Sequence, residues 1–254
     1  MGSPFITVAI SQTGEQAATD LQKEFEAATT LYKQGSFADA LQIFLRIAPK
    51  VPRAQAIIGI FYDGGLSVPK DPPRAVLWYE QAARAGDQEG QYRLATHLES
   101  GAGVTRAPDK ARQLYETCAR AGDARCQNGL GMALLRGIGG PIDDQLAAKY
   151  FAAAAAQGQV NAITSLADCF ENGNGVPIDL ARAVELYTEA AKHGFFVAHL
   201  SLGSLYERGF GLPRNDVYAA MHYLLAARNM QGGENTYYRP PTVGASVSAS
   251  ARLM

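Results

Sequence analysis

The chain has 254 residues, of which 47% are hydrophobic, so it can bury a large core in one or two domains. Its 23 Lys and Arg residues balance 24 Asp and Glu residues, with no long run of either sign, which argues against nucleic acid as a partner. No stretch approaches the roughly 20 apolar residues that cross a bilayer, so we expect no membrane insertion.

Residues 1–15 are expected to be a disordered tag or leader remnant. Met1-Gly2-Ser3 is typical of an expression tag joined to a fragment that starts near Pro4. The apolar run 5–10 is too short for a signal peptide and lacks a basic flank. We therefore expect that a native signal peptide has been removed.

Residues 16–50 predict a pair of helices ahead of the main repeat. The run 31–41, LYKQGSFADAL, followed by Phe44, is similar to a degenerate tetratricopeptide helix pair. A pair of this kind would shield the end of a helical stack.

Residues 51–230 contain five copies of a unit of 36 residues. The clearest column is a series of alanines that recur without an insertion or a deletion: Ala75, Ala111, Ala147, Ala183 and Ala219. Each copy predicts two helices, called here helix A and helix B.

Helix A carries an apolar residue followed by Gly or Ala, and another apolar residue four positions after the first, as in Leu130-Gly131 and Leu134. Recurrent glycines, such as Gly173 and Gly175, are expected to end it, because glycine enters the left-handed region without a steric cost. A polar residue four positions before the column alanine is expected to cap helix B. These caps are Asp71, Asp143, Asp179 and Asn215, and Ala107 interrupts the series.

Helix B carries an aromatic-rich pair, such as Leu186-Tyr187, followed by a pair of small residues, such as Ala190-Ala191. The complete pattern, LG…Y..G.GV…D…A..wY..AA..G, resembles the Sel-1-like repeat, a relative of the tetratricopeptide repeat. The resemblance implies an all-α fold, a right-handed superhelical solenoid of helix-turn-helix repeats. Residues 231–254 have no such period and are rich in Gly, Ser, Pro and Thr, so we expect a flexible tail.

Two of the three cysteines, Cys118 and Cys126, are placed like the disulfide of the cysteine-rich secreted branch of Sel-1-like proteins. That resemblance implies a disulfide and an oxidising compartment such as the periplasm. The alternative is that all three are reduced core residues. Cys169 has no partner at a matching offset and is expected in the core.

The sequence contains no recognisable catalytic or cofactor site. It has no Walker loop, Rossmann fingerprint or nucleophile elbow, and the G-x-G elements recur in every repeat as turns. His193 and His199 have a spacing that no common zinc pattern uses. We therefore expect no enzyme activity, no cofactor and no metal.

By analogy with tetratricopeptide proteins, a protein partner is expected on the concave surface, which helix A lines with residues not used in packing. The candidates are Tyr92, Thr96, Glu99, Asn128, Met132, Arg136, Thr164, Asp168, Glu171, Asn172, Ser204, Glu207 and Arg208.

Two further features of the repeats suggest more specific roles. Asp63, Glu99, Glu171 and Glu207 form an acidic column interrupted by Leu135. The column could meet a basic partner, although solvated residues at helix ends are the preferred interpretation. Phe195-Phe196 stands where other repeats have polar turns, as either a hydrophobic anchor for a partner or an internal packing pair covered by the tail.

The resemblance implies a non-catalytic protein-binding scaffold in the bacterial periplasm. Its sharpest version is an immunity protein that binds and neutralises a phospholipase toxin of a type VI secretion system. A regulator or adaptor in envelope or exopolysaccharide signalling fits the same residues, and so does a cytoplasmic adaptor with reduced cysteines. A penicillin-binding type of hydrolase is the alternative from another class, but no nucleophile can be named for it.

Overall fold

A computed structural model describes the backbone of residues 4–231 and the side chains of residues 16–230. Over this range the protein consists of twelve α-helices and contains no strand. Two compact units divide the chain, Met1–Ala121 and Gly122–Met254. None of the helices in the described range is long and apolar enough to cross a membrane.

The first unit contains six helices, and each packs against the next along the chain. They are α1 (Pro4–Lys33), α2 (Phe37–Ile47), α3 (Pro52–Gly64), α4 (Pro72–Arg84), α5 (Gln88–Ser100) and α6 (Pro108–Arg120).

The second unit repeats the same arrangement of successive packed helices. They are α7 (Ala124–Arg136), α8 (Asp144–Ala155), α9 (Val160–Asn172), α10 (Leu180–Lys192), α11 (Phe196–Arg208) and α12 (Asp216–Gln231).

The N-terminal helix differs from the sequence prediction. α1 begins at Pro4, so the backbone is helical inside the segment 1–15 that was expected to be disordered. Proline is favoured in the first helical turn, and a helix that has already nucleated extends by one hydrogen bond per residue. Residues 1–3 and the predicted tail, apart from the Gln231 backbone that ends α12, lie outside the described residues.

Aromatic rings join α1 and α2 to the first repeat. Phe44 of α2 lies edge-on to Phe25 of α1, with ring centroids 5.7 Å apart, and to Phe61 of α3, at 6.2 Å. Tyr32 of α1 also contacts the Phe61 ring, at 5.5 Å. Edge-to-face pairs at these distances are favourable, so α1 and α2 cover one side of α3.

The predicted caps of helix B are confirmed. The Asp143 carboxylate accepts a 2.9 Å hydrogen bond from the Leu146 backbone N–H, which the first turn of α8 would otherwise leave unpaired. Ala107 makes no side-chain cap, because its methyl group cannot accept a hydrogen bond. The same bond recurs at Asp71 and Asp179, and Asn215 caps α12 through two backbone N–H groups.

The two glycines of the turn after helix A have different roles. Gly173 ends α9 in the left-handed region, with φ of 76°. Gly175 also has a positive φ, 73°, and a Cβ there would collide with the Asp144 backbone at the start of α8. The second glycine therefore permits close contact between successive repeats, in addition to turning the chain.

Small residues of helix A receive the aromatic ring of helix B. A Cβ on Gly131 of α7 would overlap the Phe151 ring of α8, and Gly203 of α11 stands in the same relation to Tyr223 of α12. This close approach explains why Gly or Ala recurs after the apolar residue in helix A. The aromatic rings of helix B thereby lie in the core of the first four repeats, where Tyr79, Tyr115, Phe151 and Tyr187 are buried, while Tyr223 of the last repeat is partly exposed.

Candidate functional site

The predicted binding residues lie on the A helices, α5, α7, α9 and α11. Twelve of the thirteen are partly or fully exposed, which leaves them accessible to a partner. Thr164 is the exception, because it is buried, at 2% exposure, and donates a hydrogen bond to the Val160 carbonyl. Its assignment to the binding surface is wrong, since its position faces the core of the second unit.

In the first unit, Tyr92, Thr96 and Glu99 occupy one side of α5. The hydroxyl of Tyr115 in α6 donates a 3.2 Å hydrogen bond to the Glu99 carboxylate. Its ring lies 6.3 Å from that of Tyr92. Thr96 donates its hydroxyl hydrogen to the Arg93 carbonyl at 2.7 Å. All three candidates are thus held in place by neighbours before any partner binds.

In the second unit, two predicted residues of α9 meet at one tyrosine. The Tyr187 hydroxyl lies within hydrogen-bond distance of Asp168 and 2.9 Å from Glu171. Arg208 of α11 donates to the other Glu171 oxygen at 3.2 Å. Adjacent A helices are therefore linked by an ion pair on the candidate surface.

Burial, with a smaller contribution from the charge of Glu171, raises the pKa of Asp168 to about 6, although the hydrogen bond from Tyr187 and the charge of Arg136 act in the opposite direction. A tyrosine hydroxyl has one proton, so it can donate to only one of the two carboxylates at a time. Protonation of Asp168 supplies a second donor and removes the repulsion between two neighbouring carboxylates.

The acidic column has a structural role that neither sequence interpretation contained. Glu99, Glu171 and Glu207 each accept a hydrogen bond from the tyrosine sixteen residues later, in helix B of the same repeat. In the first repeat, Asp63 instead pairs with His97, whose Nε2 lies 3.2 Å from the carboxylate.

Sequence reasoning missed Tyr115, Tyr187 and Tyr223 as the donors to this column. The signal was present in the third repeat, where Leu135 replaces the glutamate and Phe151 replaces the tyrosine. Both members of the polar pair are absent together, as expected if they bond to each other.

Three histidines, His97, His199 and His222, have internal partners. Burial lowers the pKa of His97, but hydrogen bonds to Asp63 and the Ala102 carbonyl outweigh it and raise the pKa overall. The Nδ1 atoms of His199 and His222 lie 3.0 Å apart. Within the described residues, no group of three His, Cys, Asp or Glu side chains is placed to hold a metal ion.

Phe195 and Phe196 are buried, at 2% and 8% exposure, in the same cluster as Leu202 and Ala226. The hypothesis of an exposed hydrophobic anchor is therefore wrong, and the pair packs internally, whereas the tail that was expected to cover it lies outside the described residues. The pair fills core space at the junction of α10 and α11, because its rings lie 6.0 Å apart among buried alanine and leucine side chains.

Cys118 and Cys126 are disulfide-bonded, as the resemblance implied. Cys169 is a free, buried thiol, in agreement with its expected place in the core. Burial raises the pKa of Cys169 to about 12, so it is a poor nucleophile at neutral pH.

The grooves between helices recur with the repeat. A groove of about 650 Å³ in the first unit is lined by Leu94, Leu98 and Val104. A groove of about 410 Å³ in the second unit is lined by the residues two repeats later, Leu166, Phe170 and Val176. Recurrence at equivalent positions identifies these grooves as a property of the packing.

Several candidate side chains of the A helices are already oriented by hydrogen bonds, among them Glu99 in the first unit and Glu171 and Arg208 in the second. Cys169, the cysteine of α9, is buried and its pKa is raised. Chemically, the surface is suited to recognition by hydrogen bonds and ion pairs.

Comparison with known proteins supports the same architecture. The Sel1 repeat family matches residues 52–87, 88–123, 124–159, 160–195 and 197–229, which are the five helix pairs from α3 to α12. A Sel1 repeat protein from Oxalobacter formigenes is 30% identical, over 81% of this chain and 82% of its own, with a TM-score of 0.75.

Two further solved structures share the fold. The protective antigen c5321 of uropathogenic Escherichia coli is 25% identical over 86% of this chain, with a TM-score of 0.70, and the match spans 48% of the antigen. The immunity protein PA5088 of Pseudomonas aeruginosa is 17% identical, over 85% of this chain and 89% of its own, with a TM-score of 0.60. With its five matched repeats and all-α solenoid architecture, the chain belongs to the Sel1 repeat family.

Proposed function

We propose that the protein is a non-catalytic scaffold that binds one protein partner through the exposed residues of its A helices. The observation that carries the proposal is a contrast between columns. Core columns repeat nearly unchanged from copy to copy, whereas the partly exposed column in α7, α9 and α11 reads Met132, Asp168 and Ser204. Variation on a rigid lattice is expected where a surface recognises an irregular partner.

The neighbouring exposed column strengthens the proposal. It reads Arg136, Asn172 and Arg208, which are hydrogen-bonding side chains at the ends of α7, α9 and α11. Arginine is enriched at protein interfaces, because its guanidinium group makes several hydrogen bonds and is more weakly hydrated than the ammonium group of lysine. We therefore expect the partner to offer carboxylates or backbone carbonyls to this side of the second unit.

The sharpest form of the proposal is an immunity protein of the bacterial periplasm that neutralises a phospholipase toxin of a type VI secretion system. The likeness to immunity protein PA5088 in fold supports that form. The disulfide-bonded state of Cys118 and Cys126 supports an oxidising compartment.

The experiment begins with affinity capture of a partner from extracts of the source bacterium by the tagged full chain, with identification by mass spectrometry. Calorimetry with the purified partner then compares Asn172→Glu and Arg136→Glu with the control Thr188→Glu, at an exposed position of α10. We expect both A-helix variants to weaken binding at least about tenfold, a loss of about 1.4 kcal/mol, and the control to bind normally.

Unchanged binding by both A-helix variants would contradict the proposed surface. The immunity form requires in addition that the captured partner hydrolyses phospholipid and that the chain inhibits it at equimolar ratio. A captured partner without this activity contradicts that form alone.

A further inference from the structure

The outward face of α12 differs from that of every other B helix in the described chain. Val217, Met221 and Leu224 are exposed at 79%, 40% and 70%. Their spacing of four and three residues places them on one side of the helix. They line an open groove of about 720 Å³.

The opposite side of α12 makes the contacts with its own repeat. Ala219 and Ala226 are buried, and the Tyr223 hydroxyl donates to Glu207 of α11. The apolar groove is therefore a second face, separate from the packing of α12 against α11. It is also separate from the A-helix surface to which the proposed function is assigned.

The repeat lattice shows that this apolar face is a local departure. The positions that correspond to Met221 in the four preceding repeats are Leu77, Gln113, Lys149 and Glu185, all exposed, and of these only Leu77 is apolar. Leu77 does not belong to an apolar row, because Glu80 stands at the position of Leu224 in its repeat. Leucine at the position of Leu224 likewise replaces Thr188 in the repeat before. Exposed apolar rows on a helix commonly mark an interface, because solvation of such surface is unfavourable.

We propose that this face joins two copies of the chain, with their α12 helices packed antiparallel about a two-fold axis near residues 222 and 223. Met221 of one copy then lies against Leu224 of the second copy. Ala220 lies against Leu225, so that a small side chain meets a large one at each crossing. The face is self-complementary, as a two-fold interface requires.

Charge complementarity selects this arrangement. Asp216 stands at the N-terminal end of the groove and Arg228 at its C-terminal end. The antiparallel arrangement places Asp216 of each copy beside Arg228 of the other, whereas a parallel one would place like charges together. Asp216 already pairs with Arg214 at 3.1 Å, but both side chains are exposed, and such a pair is weak enough to be shared or exchanged.

Sedimentation equilibrium of the full chain, from low to several hundred micromolar, tests the proposal. We expect a reversible monomer–dimer equilibrium that Met221→Glu and Leu224→Glu each weaken at least about tenfold, or about 1.4 kcal/mol. The matched control is Leu77→Glu, at the position of α4 that corresponds to Met221, where the leucine is 59% exposed. Circular dichroism confirms that each variant is folded.

Charge exchange tests the orientation of the helices. Arg228→Asp and Asp216→Arg should each weaken the dimer, and the double variant should restore it. A chain that stays monomeric throughout, or a dimer indifferent to Leu224→Glu and Met221→Glu, overturns the proposal. If the double variant does not restore dimerisation, the antiparallel pairing is wrong.

A photocrosslinker in place of Val217 identifies the occupant of the groove. Cross-links between two chains that map to residues 224–231 support the dimer. Cross-links within one chain to residues 232–254 would show that the tail covers the face, and the proposal would then be wrong.

Discussion

The hydroxyl of Tyr223 donates a 2.7 Å hydrogen bond to the carboxylate of Glu207, sixteen residues earlier. The same bond occurs between Tyr115 and Glu99 and between Tyr187 and Glu171. It ties the end of helix A to the middle of helix B within one repeat. Glutamates that resemble a solvated acidic surface are therefore also part of the internal structure.

A double-mutant cycle on Glu99 and Tyr115 tests this link. Each single variant, Glu99→Leu or Tyr115→Phe, leaves a partly buried polar group without its partner and should lower the free energy of unfolding by about 1–3 kcal/mol. The double variant reproduces the Leu135 and Phe151 pair of the third repeat and should lose less than the sum, by at least about 0.5 kcal/mol. Urea denaturation measures all four proteins, and strictly additive losses would contradict the link.

Asp168 should make stability depend on pH between about 4 and about 6. Burial raises the pKa of Asp168 to about 6 in the folded chain, whereas an unperturbed aspartate titrates near about 3.9. The folded state holds the extra proton in this window, so the contribution of this group to stability falls as pH rises and then stays constant above about 6.

The variant Asp168→Asn cannot ionise but keeps an oxygen that accepts from Tyr187. We therefore expect its stability relative to the original chain to increase from about pH 4 to about pH 7. Urea denaturation at both pH values measures the difference. If the variant and the original chain differ in stability by the same amount at both pH values, protonation of Asp168 does not contribute to the pH dependence of stability.

The pair of His199 and His222 should make the protein less stable as pH falls, which is opposite to the effect of Asp168. Burial lowers the pKa of His199, and burial together with the charge of His199 lowers that of His222. The unfolded chain then binds more protons below about pH 6.5, so stability is full above that pH and is lost as pH falls. The 3.0 Å contact between the Nδ1 atoms requires at least one neutral ring.

The variant His222→Phe keeps an aromatic ring stacked on Tyr206 and removes the second titrating group. We expect it to lose less stability than the original chain between about pH 7.5 and about pH 5.5. Thermal unfolding followed by circular dichroism measures the difference, with His193→Gln at an exposed position as the control. Equal losses in all three proteins would rule out the histidine pair as the cause.

Thiol titration tests the state of the cysteines. In denaturant without reductant, we expect one reactive thiol per chain, that of Cys169, and three after reduction, because Cys118 and Cys126 are disulfide-bonded. In the native protein Cys169 should not react, since burial raises its pKa to about 12. Three thiols before reduction would contradict the disulfide and with it the argument for an oxidising compartment.

The periodic sequence was sufficient to predict the helix pairs and their caps. Period, glycine stops and capping residues are local properties, since each depends on residues within one or two turns. Asp143 and Gly173 therefore behave as their positions in the repeat indicate. The membership of Cys169 in the core follows from the same periodicity.

The site was less predictable, because exposure and pairing depend on where neighbouring helices lie. Thr164 was assigned to the surface by its place in helix A and is buried by the helices around it. Phe195 and Phe196 suggested an exposed anchor at a turn and instead fill the core.

The sequence by itself determined the repeat, the family and the positions that vary between copies. Only the tertiary structure decided that Tyr187 joins Asp168 to Glu171, and that Val217, Met221 and Leu224 form one exposed apolar face. The physical reason is that secondary structure follows from short-range spacing along the chain. Hydrogen bonds between helices and the solvent exposure of a face depend on helix packing, which brings distant residues together.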